Sequence, residues 1–278
     1  MTDAFVGDGA GLPRKAAQID VAGVIQRYPA DSGEITVLNG IDLKLDGHGI
    51  NVLLGPSGCG KSTLMRLFGG FRPEDPLTPT AGTVVIDGQP CNGTHDDAVT
   101  VFQRYSNRPD FTVEENIRFP FRMKLWRDRV PKAEQDKRVE EILDVIGLKD
   151  KRSLYPHALS GGQNQRVAVA RALVLRPRIL LMDEPFGALD AQTRADMQEF
   201  LLRLLQTHAC LTVFVTHDIE EAALLADRIL VMSAPPSSIA LDIRVTEPRP
   251  RDRLWLQSTA GVELQTRIRD LLHSPSPS

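Results

Sequence analysis

The chain has 278 residues, 42% hydrophobic and 25% charged, with a formal net charge of −3. That is ordinary for a soluble globular protein with a real core, as one large domain or two small ones, and it excludes a global basic field for nucleic acid. No stretch is apolar for long enough to span a bilayer, and the polar start Met1-Thr2-Asp3 lacks a signal-peptide pattern. The three cysteines, Cys59, Cys91 and Cys210, are far apart and show no metal spacing, which fits a reducing cytoplasm.

Residues 1–17 are rich in Gly, Ala and Asp without periodicity and read as a mobile arm. Two β-rich stretches follow at 19–28 and 35–45, separated by a polar turn at 30–33. A short apolar run at 50–54 ends at Gly55, and 61–68 reads as a helix. Residues 83–87 and 99–102 are further short strands. The pattern then turns helical, with 113–119 and 132–146 carrying Val139, Ile142, Leu143 and Ile146 on one face, and a third helix stopped at Leu175-Arg176-Pro177. Strand and helix alternate afterwards at 179–182, 191–206, 211–215, 219–226 and 229–232, which argues for a largely parallel sheet covered by helices. Pro248-Arg249-Pro250-Arg251 reads as an extended basic linker. In 261–273, Leu264, Ile268, Leu271 and Leu272 form one helical face, packed on the core or offered to a partner, and the Ser/Pro tail 274–278 reads as disordered. The expected architecture is α/β: a core with a mostly parallel sheet, an N-terminal antiparallel β layer and a helical insertion at about 104–176.

Gly55-Pro56-Ser57-Gly58-Cys59-Gly60-Lys61-Ser62 fits G-x-x-x-x-G-K-[ST] between a strand and a helix, the context a phosphate-binding P-loop needs. Its glycines let backbone N–H groups turn inward on the β-phosphate of a nucleoside triphosphate, aided by the dipole of the following helix. Lys61 carries charge to the β/γ-phosphates, Ser62 suits Mg²⁺, and Thr63 can bond an α-phosphate oxygen. Cys59 reads as a small filler, the alternative being a site of oxidation.

Ile179-Leu180-Leu181-Met182 runs into Asp183-Glu184. An apolar run without alternation suits a strand buried on both faces, and its carboxyl end is where open α/β sheets bind ligands. Asp183 is the candidate Mg²⁺ holder. Glu184 is the candidate for polarising the attacking water, with Pro185 keeping it extended. His217, in Thr216-His217-Asp218 at the next strand's end, can bond a γ-phosphate and that water. Gln103 offers an uncharged amide to Mg²⁺ or its water. Tyr28 offers a flat face for adenine, or is simply core. Ser160-Gly161-Gly162-Gln163 opens a helix; it reads as a serine N-cap with a glycine turn, or as a second anion site.

The order P-loop, Gln103, Leu159-Ser160-Gly161-Gly162-Gln163, Asp183-Glu184, Gly187-Ala188-Leu189-Asp190, His217 resembles the ATP-binding-cassette (ABC) ATPase family over about residues 19–245. The resemblance implies a P-loop NTPase (RecA-like) core and two copies packed head to tail around ATP and Mg²⁺. Ser160, Gly161, Gly162 and Gln163 would then serve the second ATPase subunit's γ-phosphate, and Asp190 the crossing point between sites. It also implies a helical insertion meeting transmembrane permease subunits, with Gln103 coupling it to nucleotide. A solute-binding protein is an indirect partner, and the location is peripheral, on the cytoplasmic face of the plasma membrane. By domains, 1–17 is the arm, 18–247 the ATPase and 248–278 linker, helix and tail.

At finer grain, residues 182–190 and 215–222 are similar to bacterial importers of nitrate, sulfonate and taurine. Three departures stand out: an insertion at 76–80, a polar 104–108, and Asn164 in the signature helix. The chain also stops soon after Val245, against the sugar-importer branch with its regulatory β-domain. The alternative is a soluble ABC ATPase acting on nucleic acid or ribosomes; the missing coiled coil, the single cassette and the near-neutral charge speak against it. A P-loop module without catalysis is opposed by Glu184 and His217.

Overall fold

The computed structural model describes residues 16–31, 33–70, 78–102 and 107–273. Gln103, residues 104–106, the stretch 71–77, most of the expected N-terminal arm and the tail 274–278 lie outside the described residues.

A long hairpin comes first, β1 (Gln18–Ala30) against β2 (Gly33–Asp46). Successive side chains of a strand point to opposite faces, so in β2 the buried Ile41, Leu43 and Leu45 alternate with exposed Asp42 and Lys44. Leu38, also buried, lies three residues before Ile41 because the pairing carries an irregularity there: Val24 faces Ile41, but Gln26 faces Leu38. Strand β3 (Gly49–Leu54) leads through the P-loop into helix α1 (Lys61–Gly69). Strands β4 (Ala81–Ile86), β5 (Gln89–Pro90) and β6 (Ala98–Val101) follow. Among the described residues four α-helices come next: α2 (Val113–Arg118), α3 (Lys124–Arg127), α4 (Lys132–Val145) and α5 (Gly161–Leu173). The remainder is β7 (Ile179–Asp183), α6 (Ala191–Thr207), β8 (Leu211–Thr216), α7 (Ile219–Leu225), β9 (Arg228–Met232), β10 (Ile239–Arg244), α8 (Arg253–Leu256) and α9 (Thr259–His273).

Two sheets result among the described residues. The first is antiparallel, in the order β2-β1-β4-β5. The second runs β10-β9-β3-β8-β7-β6 and is parallel except for β10. The expected mixed α/β class with a mostly parallel sheet is what forms. Two details differ from the expectation. Strand β1 runs past Tyr28 to Ala30 because the hairpin continues to pair, Tyr28 opposite Ile35. Strand β10 is an addition: Ile239, Leu241 and Ile243 alternate with other residues, and the strand closes the sheet edge against β9.

The central strands bury both faces, and successive side chains serve different cores. Ile50, Val52 and Leu54 of β3 and Leu180 and Met182 of β7 join a cluster with α5, including Val167 and Val169. Leu53 of β3 and Ile179 and Leu181 of β7 join another with α1, including Leu64, Met65 and Phe68. Helices α1 and α5 therefore cover opposite faces of the six-stranded sheet. The antiparallel sheet belongs to the α1 side. Helix α9 docks through Ile268 into the α5-side cluster, so its apolar face packs on the core.

The 248–251 stretch is not a free linker. Arg249 pairs with Asp227 at 2.9 Å, and Arg251 is buried.

Candidate nucleotide site

Lys61 opens α1 directly after Gly60, whose φ of 95° lies in the left-handed region that glycine tolerates best. A Cβ at Gly60 would also come within 2.8 Å of Val37 Cγ1, so the β2 hairpin leaves no room for a side chain. The Lys61 ammonium donates to the carbonyls of Gly55 at 2.9 Å and Pro56 at 2.8 Å, within the loop itself. Pro56, Ser57 and Gly58 are exposed, while Gly55 and Cys59 are buried. Burial raises the Cys59 thiol above its ordinary pKa, opposed by the nearby Lys61 charge. That favours the filler reading, because the thiolate is the reactive form. Ser237 braces the loop by donating its hydroxyl to the Cys59 carbonyl.

The Ser62 hydroxyl donates to Asp183 Oδ1 at 2.7 Å, joining α1 to the end of β7. Arg66, one helical turn after Ser62, lies 3.8 Å from Asp183 Oδ2. Sequence reasoning missed Arg66; its i+4 spacing from Ser62 was the available signal. Thr63 is half-buried on the same turn.

Glu184 departs from the expectation. Its φ is +41°, so it is not extended. Its N–H still donates to Val215 O at 3.1 Å, continuing the β7–β8 ladder, while its carbonyl accepts from Gly187 N at 3.2 Å. The chain turns sharply between those two bonds, and a positive φ follows. A non-glycine residue held there costs about 1–3 kcal/mol, and such strain clusters at functional sites. His217 Nδ1 lies 3.3 Å from Glu184 Oε2, with the imidazole about half exposed.

The Leu159–Gln163 motif opens α5 through a capping box. Ser160 Oγ accepts from Gln163 N at 3.3 Å, and Ser160 N donates to Gln163 Oε1 at 3.1 Å. The N-cap reading is thus satisfied, with Ser160 and Gly161 exposed at the helix start. Gly162 is buried; a Cβ there would meet Thr193 Cγ2 at 2.6 Å. Asn164, the unusual residue in this helix, donates to Pro156 O at 2.9 Å, and its own backbone carbonyl accepts from Asn107 at 2.8 Å. Asp190 caps α6 by accepting from Thr193 N at 3.0 Å, a bond that holds its carboxyl below the usual range. Tyr28 is half-buried in the hairpin. The structure brings together Ser62 with Asp183 and Glu184 with His217, and sets Ser160 on the far side of the sheet from α1.

Residues 38–187 match the family described as ABC transporter. The chain belongs to that family. The cassette is 42% identical over 238 residues to the bicarbonate transport ATP-binding protein CmpC of Synechococcus elongatus, covering 85% of this chain and 35% of that protein. It thus spans about a third of the length of the curated relatives first matched. It is 36% identical over 269 residues to the nitrate import ATP-binding protein NrtD of the same species, covering 94% of this chain and 96% of that one. Among solved structures, the cassette resembles cbiO1 of Clostridium perfringens, part of the ABC transporter complex cbiONQ, with TM-score 0.69 and 27% identity over 83% of this chain and 89% of that chain. It also resembles the dimeric cassette MJ0796, with TM-score 0.67 and 30% identity over 83% and 100%. No helix among the described residues is long and apolar enough to cross a membrane.

Proposed function

We propose that this cassette hydrolyses ATP and powers a transporter for a small anion of the nitrate or bicarbonate kind. The reading rests on one observation above all. Ser62 meets Asp183, and Glu184 meets His217, at the carboxyl ends of adjacent parallel strands β7 and β8. That is where an open α/β sheet binds its ligand. The substrate class draws on relatives named for nitrate import and bicarbonate transport.

In this reading the P-loop amides and Lys61 hold the β/γ-phosphates, Thr63 the α-phosphate, and Tyr28 the adenine. Glu184 orients the attacking water and accepts its proton, and His217 holds the terminal phosphate and keeps Glu184 in place. The hydroxyl and carboxylate of Ser62 and Asp183, 2.7 Å apart, are hard oxygen donors that fit Mg²⁺, with Gln103 as a third. Mg²⁺, when bound, neutralises charge on the phosphate oxygens.

Ser160, Gly161, Gly162 and Gln163 serve the site of a second copy, with Asp190 at the crossing, a reading supported by α5 and α1 lying on opposite faces of the sheet. The partners are that copy and permease subunits at the cytoplasmic face of the membrane, with a solute-binding protein delivering the anion. Reconstitution with permease and solute-binding proteins of the nitrate or bicarbonate class tests it. ATP-dependent uptake of labelled nitrate or bicarbonate into vesicles supports the proposal. ATP hydrolysis without uptake of any small anion overturns the substrate class, and no hydrolysis at all overturns the enzyme.

A further inference from the structure

Among the described residues two cations are buried, Lys61 in the P-loop and Arg251 after β10, the latter only 6% exposed. A buried guanidinium must be satisfied by hydrogen bonds or it is costly. Arg251 meets this with backbone carbonyls. Its Nη1 donates to Ala223 O at 2.9 Å and Ala226 O at 2.6 Å, and its Nε and Nη2 donate to Glu247 O at 2.9 and 2.6 Å. The guanidinium also lies 5.3 Å from the Trp255 ring centre.

Ala223 and Ala226 are at the last turn of α7, where helix carbonyls lack intrahelical partners and the dipole is negative. The opposite end of α7 starts at Asp218, which caps it by accepting from Glu221 N at 3.1 Å and directly follows His217. Arg249, two residues before Arg251, pairs with Asp227, whose other oxygen accepts from Ile50 N at 2.8 Å at the start of β3. The segment after β10 therefore grips both the far end of α7 and the base of the strand that leads to the P-loop.

We propose that Arg251 is a positioning residue for ATP turnover, holding α7 so that His217 keeps its place beside Glu184. Helix α7 is a rod about 10 Å long, so movement at one end displaces the other by a comparable distance. Misplacement of about 1 Å near reacting groups can cost a hundredfold in rate. The inference rests on His217 acting at the terminal phosphate.

The test is a double-mutant cycle, Arg251→Met with His217→Ala, read by steady-state ATP hydrolysis and by single-turnover phosphate release with protein in excess. His217→Ala alone comes first: unchanged turnover there overturns the role given to His217, and the positioning proposal with it. Given an impaired His217→Ala, Arg251→Met is expected to lower kcat about tenfold in the wild-type background, leave KM for ATP within about twofold, and add nothing in the His217→Ala background. An equal fall in both backgrounds overturns the positioning role while leaving the role of His217 intact. If Arg251→Met does not fold, Arg251→Lys, which keeps one charged donor, is carried through the same cycle and read in the same way.

Discussion

His217 Nδ1 lies 3.3 Å from Glu184 Oε2, joining the tips of neighbouring parallel strands. The contact is set by backbone: the Glu184 N–H extends the ladder to Val215 O, two residues before His217. At that point the Glu184 backbone leaves the extended conformation, with a φ of +41°.

Glu184→Gln keeps the shape and the His217 contact but removes the proton acceptor. Turnover is expected to fall about 10²- to 10⁴-fold, with ATP affinity retained and an ATP-bound dimer accumulating. Gel filtration with ATP and Mg²⁺ reads the dimer; wild-type turnover removes Glu184 from the role of base.

Lys61→Ala removes a charge-assisted phosphate contact and is expected to weaken ATP binding about tenfold to a hundredfold. Ser160→Arg blocks the signature face instead. Mixed, the two variants rebuild one intact site per heterodimer, so activity should exceed the sum of the separate proteins. No gain, in a mixture shown by crosslinking to contain heterodimers, excludes a site shared between copies.

Gly162→Ala places a methyl 2.6 Å from Thr193 Cγ2. Threonine is stiff at χ1, so the overlap is expected to cost about 1–3 kcal/mol. Adding Thr193→Ser removes the methyl it strikes and should restore Tm. If the double variant melts no higher than Gly162→Ala, the contact is not the cause.

Glu221 on α7 is buried, and burial raises its carboxyl pKa. Thr216, Gln198 and Arg194 favour its ionised form, while Asp218 opposes it. The folded chain holds this proton more tightly than the unfolded chain. Its contribution is therefore complete below the unfolded pKa and is lost as pH rises through the raised folded value. Glu221→Gln should match wild type in stability at acid pH and exceed it progressively above the ordinary glutamate range. Denaturant melts across pH check this; a difference independent of pH refutes the assignment.

The P-loop, the apolar β7 run and the helix starting at Ser160 are legible in the sequence because each is a local pattern with its own backbone logic. The turn at Glu184 is not, because its φ is imposed by two bonds, one to β8 across the sheet, that Pro185 alone does not reveal. Arg251 reads as part of a linker because two of the carbonyls it binds, those of Ala223 and Ala226, lie about a turn of helix apart and more than twenty residues upstream. Arg66 is within reach, four residues from Ser62, but its acidic partner is far away in sequence.

Strand β3 sends Val52 and Leu54 to one core and Leu53 to the other. Inserting or deleting one residue there would exchange the two faces at once and displace the P-loop that follows. Ala30 and Gly33, paired at the end of the hairpin, carry no such double duty. Among naturally or artificially lengthened versions of this chain, extra residues should therefore be tolerated at the hairpin tip and absent from 49–54.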